Sequence, residues 1–240
     1  RSSPDSVEIA AASGYDYVII DMEHGSFGLE SVIQMIRAAE ATAICPLVRV
    51  PSHDESMIRK VVEAGAMGVY IPDIRTAEEA SRVIAATKYL QGDNQGTKGA
   101  CPTSRATRGR GSEWKQFIEW SNQNVLVSIL IESQEGLKNL DEILQVPGID
   151  TIILGRFDIA HEMALYGDRY GTVLSDIFEA FASKAQEAGV SYVARLKQAD
   201  PETMRKERDY FISRGARIFT MGSDRELLAK AFNQSLIPMT

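Results

Sequence analysis

The chain has 240 residues, 44% of them hydrophobic and 25% charged, an ordinary balance for a globular protein large enough to bury its own core. A net charge of −7 argues against a broad nucleic-acid interface, which needs clustered lysine and arginine to neutralise phosphates. The two cysteines, Cys45 and Cys101, lack metal-ligand spacing and argue against a disulfide framework, and no apolar stretch reaches the length of a membrane span, so a cytoplasmic location is expected.

Short apolar runs then alternate with helical patterns. Gly14 precedes a first strand at residues 17–20. Val32, Ile33, Ile36 and Ala39 mark one face of a helix over residues 31–39. A second strand lies at 46–50. Met57, Ile58, Val61 and Val62 mark the next helix, ahead of Gly65 and a strand at 68–71. A helix at 77–86 leads into residues 89–124, rich in Gly and Arg. That stretch reads as a long loop with a helix around Trp114, Phe117 and Trp120, a spacing that suits core or interface packing. Strands follow at 125–131, 151–154, 191–194 and 217–220, with helices at 136–144, 176–188, 201–213 and 224–232 between and after them. Gly14, Gly65, Gly189 and Gly215 stand where a helix must turn back into a strand, a place for left-handed backbone.

Buried strands alternating with helices predict a parallel sheet with right-handed crossovers. The charges at the strand ends choose a (β/α)₈ TIM barrel over an open sheet. Asp21, Arg49, Asp73, Glu132 and Asp158 are charged residues at or shortly after the ends of apolar runs, and a ring of strands would aim them at one point. Seven strands are legible where closure needs eight. The first strand is therefore expected to be missing, ahead of Ser3 and Pro4. The natural protein is expected to extend upstream with an apolar strand between the 17–20 and 217–220 runs. No domain boundary is visible, so residues 1–240 form one domain.

Glu132 and Asp158 end consecutive strands. Two carboxylates with waters suit a hard divalent ion such as Mg²⁺ or Mn²⁺; the same residues could instead cap the helices that follow, or work as an acid–base pair. His24 ends the first strand within Asp21-Met22-Glu23-His24, placed either for proton transfer or as a hydrogen-bonding loop residue. Arg49 cannot sit unpaired at a strand end. It meets a substrate anion or a carboxylate such as Glu23. His53 and His161 have weaker cases. Arg105, Arg108 and Arg110 form a local basic cluster, usually a solvated loop.

Taken together, Gly14 through Gly25, Val48-Arg49-Val50-Pro51, Gly65-Ala66-Met67-Gly68, Ile131-Glu132-Ser133 and Gly155-Arg156-Phe157-Asp158 resemble, in order and spacing, the HpcH/HpaI family of metal-dependent class II pyruvate aldolases. The resemblance runs from about Ser3 to Asp224. It implies reversible aldol cleavage of a 4-hydroxy-2-oxo acid to pyruvate, or a close 2-oxo acid, and an aldehyde. Glu132 and Asp158 would bind the metal (Mg²⁺, Mn²⁺ or Co²⁺), and Arg49 would contact the 2-oxo oxygen and stabilise the enolate. His24 would be the base with Asp21 as its partner, Glu23 an acid near the metal's waters, and the backbone N–H groups of Phe157 and Asp158 the seat of the pyruvate carboxylate. It also implies a homo-oligomer, commonly a trimer of dimers. Leu227, Leu228, Ala231, Phe232, Leu236 and Ile237 would pack on a neighbour.

Three positions depart from the family. Arg156 stands where proline is frequent, and either favours an acidic aldehyde or pairs with Asp73. Asp73 replaces a neutral residue, and Lys98 an arginine. Two other readings compete: a citrate-lyase-β-like lyase acting on a CoA thioester, with the Arg105–Arg110 cluster as its groove, and a non-catalytic small-molecule-binding barrel.

Overall fold

The computed structural model describes residues 3–166, 171–197 and 200–236. Helix α1 (Pro4–Ala12) opens with a proline at its first turn, where the missing N–H costs nothing. The chain then alternates: β1 (Tyr17–Asp21), α2 (Leu29–Ala41), β2 (Cys45–Arg49), α3 (Glu55–Glu63), β3 (Gly68–Ile71) and α4 (Ala77–Thr87). A two-residue hairpin, β4 (Leu90–Gln91) and β5 (Asn94–Gln95), precedes two 3₁₀ turns and α5 (Trp114–Asn124). There follow β6 (Leu126–Ile131), α6 (Gln134–Lys138), α7 (Leu140–Leu144), β7 (Thr151–Leu154), α8 (Arg156–Glu162), α9 (Thr172–Glu187), β8 (Ser191–Arg195), α10 (Pro201–Ile212), β9 (Ala216–Thr220) and α11 (Asp224–Ser235).

Local chemistry sets several of these boundaries. Thr76 with Glu79, and Ser223 with Glu226, form reciprocal capping boxes that start α4 and α11. Gly65 turns α3 into β3 with φ 108°, and a Cβ there would lie 2.8 Å from an Arg105 nitrogen and 2.9 Å from Glu40 Oε1. The expected 136–144 helix is broken at Asn139, whose side-chain amide donates to Arg75 O (2.9 Å) and ties α6 to the end of β3.

All seven expected strands pair in parallel, in the order β1-β2-β3-β6-β7-β8-β9. Strand residues divide between two cores. Val48, Val69, Ile71, Ile129, Ile131 and Ile152 face the helices, where Ile36, Ile58 and Val61 meet them fully buried. The other face gathers Tyr17, Ile19, Leu47, Tyr70, Leu130, Ile153, Val193 and Ile218, contributed by all seven strands. One cluster can hold both edges of a seven-stranded sheet only if the sheet curls on itself. Tyr17 makes this explicit, because its hydroxyl on β1 donates to Phe219 O on β9 at 2.9 Å. In a flat sheet those edges would be about six strand spacings of roughly 4.8 Å apart. Among the described residues, β1 and β9 share no ladder, so the curled sheet has two edges facing each other.

Among the described residues no helix is long and apolar enough to cross a membrane. Cys45 and Cys101 are both free thiols. Helix α11 buries none of its residues, leaving Leu227, Phe232 and, just beyond it, Leu236 exposed; Ile237 lies outside the described residues.

Candidate active site

The strand register builds the site. In the β1–β2 ladder Asp21 stands opposite Arg49, so their side chains leave the same end of adjacent strands. Arg49 Nε donates to Asp21 Oδ1 (2.8 Å) and Nη2 to Oδ2 (2.5 Å), a bidentate fork. Nη1 lies 2.8 Å from Glu23 Oε2 as an ion pair without hydrogen-bond alignment. Burial acts to lower the Arg49 pKa, but the hydrogen bonds and charge of Asp21, then Glu23 and Glu132, raise it overall. Burial likewise pushes Asp21 upward, and the Arg49 fork outweighs it to hold that carboxyl below its usual range.

Asp21 Oδ1 also accepts the backbone N–H groups of Glu23 (3.1 Å) and His24 (3.3 Å). Asp21 therefore holds the His24 main chain rather than its ring, which differs from the expected pairing of Asp21 with the imidazole. The reason is that its oxygens are committed to Arg49. The carboxylate near the His24 ring is Glu23, at 3.7 Å, and the ring itself is 70% exposed over the site.

Glu132 follows β6 and Gly155 follows β7, adjacent strands whose ladder pairs Ile131 with Leu154. Glu132 Oε1 accepts the Asp73 N–H at 2.8 Å. A Cβ at residue 155 would stand 2.2 Å from Glu132 Cβ and 2.7 Å from Oε2, so the carboxylate occupies space that only glycine leaves open. Burial pushes the Glu132 pKa up to about 7, helped by the charges of Glu23 and Asp158 and opposed by the Asp73 N–H and Arg49. Burial also raises Glu23, which Asp21 and Asp158 push the same way against the pull of Arg49 and His24. Asp158 and Phe157 lie exposed on the first turn of α8. Asp21, Glu23 and Glu132 thus lie close enough to Arg49 for their charges to act on it, and Asp158 close enough to act on Glu23 and Glu132.

Residues 1–231 match the family described as HpcH/HpaI aldolase/citrate lyase. The chain belongs to this family. It is 34% identical over 236 residues to a 4-hydroxy-2-oxovalerate aldolase of Novosphingobium aromaticivorans, covering 97% of this chain and 85% of the relative. It is 30% identical over 231 residues to a 2-keto-3-deoxy-L-rhamnonate aldolase of Salmonella paratyphi A, covering 96% and 82%. Among solved structures, citrate synthase SbnG superposes with a TM-score of 0.85 at 27% identity, over 98% of this chain and 87% of that one. As an HpcH/HpaI protein the chain is a carbon–carbon lyase.

The remaining expected residues fall in varied places. Asp73 reaches the HpcH/HpaI site through its backbone, while its carboxylate takes Arg75 Nε at 2.9 and 3.0 Å. Arg156 stacks instead over the Phe178 ring, 4.3 Å from its centroid. His53 Nε2 lies 2.7 Å from Pro72 O, a contact that braces the loop after β3. Arg105 is not solvated, since it donates to Ala64 O (2.6 Å) and pairs with Glu40, as does Arg108. Trp114, Phe117 and Trp120 stack in series with Arg110 over the last two rings, a packing role as expected. Sequence reasoning missed the Asp73 N–H and the steric need for Gly155. The signal for the second was present, a glycine set directly between a buried strand and a helix.

Proposed function

We propose that this protein is a divalent-metal-dependent aldolase that reversibly cleaves a 4-hydroxy-2-oxo acid to pyruvate, or a close 2-oxo acid, and an aldehyde. The observation that carries this reading is the cluster of acids about one guanidinium: Asp21 and Glu23 contact Arg49, the charge of Glu132 acts on it, and that of Asp158 acts on Glu23 and Glu132. Glu132 is raised to a pKa of about 7, and the buried Glu23 Oε2 has its ion pair with Arg49 but no hydrogen-bond partner among the described residues, so several acids share one guanidinium. Among them no three His, Cys, Asp or Glu side chains form a complete metal cage. Glu132 and Asp158 as two hard oxygen donors, completed by water and substrate oxygens, fit Mg²⁺, Mn²⁺ or Co²⁺. When bound, such an ion acts as a Lewis acid toward the 2-oxo group and its carboxylate.

The side chains then have separable tasks. Two of the five N–H directions of Arg49 point at Asp21, and Nη1 pairs with Glu23 without hydrogen-bond alignment. The rest are left for the 2-oxo oxygen, where negative charge grows as the C3–C4 bond breaks. His24 takes the proton from the C4 hydroxyl as the aldehyde leaves, and the Glu23 carboxylate lies 3.7 Å from its ring. The backbone N–H groups of Phe157 and Asp158, in the first turn of α8, receive the pyruvate carboxylate. No strand of the main sheet carries a lysine, so an imine route has no support there. Arg105 and Arg108, which a CoA-thioester reading would need, are spent on Glu40.

The same reading makes the chain one barrel domain over residues 1–240 and places it in the cytoplasm. The exposed apolar side chains on and beyond α11 support a homo-oligomer, assembled as a trimer of dimers. Purified protein supplied with Mn²⁺ and a panel of 4-hydroxy-2-oxo acids should release pyruvate, read through lactate dehydrogenase. Turnover of a CoA thioester, with none of the acids cleaved, would overturn the assignment.

A further inference from the structure

Asp73 holds a backbone conformation that few residue types accept. Its φ is 46°, in the left-handed region that disfavours side chains other than Gly, Asn and Asp. The surrounding loop is fastened so that it stays there. The next residue, Ile74, donates its N–H to Leu130 O on β6 at 3.0 Å. The Asp73 carboxylate grips Arg75 Nε, and Asn139 donates to Arg75 O at 2.9 Å. Gly136 abuts Ile74 O, which a Cβ would approach to 2.7 Å. The product of this arrangement is one contact, the Asp73 N–H on Glu132 Oε1 at 2.8 Å. The other oxygen, Oε2, faces the gap left by Gly155.

We propose that Asp73 is a positioning residue whose left-handed backbone occupies Glu132 Oε1 and so presents Glu132 to the metal through Oε2 alone. This rests on the metal reading given above. An ordinary extended φ at residue 73 would swing the N–H off the carboxylate, leaving Glu132 free to turn. The side chain contributes by tolerating the conformation, not by binding the metal itself.

The test is calorimetric titration of the metal-free, full-length protein with Mn²⁺, with thermal unfolding as the control for folding. Asp73→Val disfavours the left-handed region and should weaken Mn²⁺ binding by about tenfold. Asp73→Gly keeps both the conformation and the N–H, and should stay within about threefold of the wild type. Equal losses in both variants would overturn the proposal, because the side-chain charge would then be the active element. Unchanged binding in Asp73→Val would overturn it too. Glu132→Ala separates this from the metal assignment. If that variant binds Mn²⁺ like the wild type, the metal reading has failed; if it loses Mn²⁺ while Asp73→Val keeps it, only the positioning role has failed. Should Asp73→Val not fold, Asp73→Ala makes the same comparison, since alanine also resists positive φ.

Discussion

Gly155→Ala isolates the geometry of the site from its chemistry. Gly155 has φ −79° and ψ 72°, which alanine adopts, so the substitution adds one methyl without demanding a new backbone conformation. That methyl would start 2.2 Å from Glu132 Cβ, against the roughly 3.5–4 Å of ordinary carbon contact. Residue 155 cannot easily give way, because its N–H is bonded to Ile131 O at 2.9 Å and its carbonyl accepts from Ile159 at 3.2 Å. Glu132 must therefore retreat by more than about 1 Å, a displacement that typically costs on the order of 100-fold in rate. Overpacking should also cost about 1–3 kcal/mol of stability. Steady-state pyruvate release, Mn²⁺ titration and thermal unfolding would be measured on the variant and wild type. Turnover and metal affinity both within about threefold of wild type would refute the steric argument.

Arg49→Lys keeps the charge but loses the fork that meets Asp21 and Glu23, and should lower turnover by about two powers of ten; oxaloacetate decarboxylation, which needs no particular aldehyde, gives a direct readout. Tyr17→Phe removes the hydroxyl bridging β1 to Phe219 O and should cost about 1 kcal/mol, seen as a thermal midpoint lower by about 2–4 °C with turnover unaffected. Glu132, with a pKa of about 7 before metal arrives, must lose its proton to bind. Mn²⁺ affinity should fall about tenfold per pH unit below 7 and level off above it, and a flat profile across that range would count against Glu132 as a ligand. Light scattering should report a homo-oligomer, and a clean 26.4 kDa monomer at micromolar concentration would contradict that.

Much of the fold could be read from periodicity. β3 is buried along its whole length and β6 along all but its first residue, and a continuous apolar run is how such strands appear in a sequence. The β4–β5 hairpin was not legible, because two-residue strands of Leu90, Gln91, Asn94 and Gln95 have no hydrophobic pattern. Helix α1 has only a faint pattern, since Val7 is the one residue it buries. In the site, the side chains at strand ends were found because charge after an apolar run is conspicuous. What pairs with them was not. The Asp21 fork on Arg49 depends on the β1–β2 register, and the Asp73 contact is made by a backbone N–H that no side-chain pattern reveals.

The most direct test of the account is pyruvate release from a 4-hydroxy-2-oxo acid after chelation, in the wild type, Glu132→Ala and Asp158→Ala. Chelated wild type should be inactive and regain its turnover on adding Mn²⁺, while both variants stay folded and inactive with the metal restored. Full turnover in the presence of chelator, or wild-type activity in either variant, would contradict a metal held by Glu132 and Asp158.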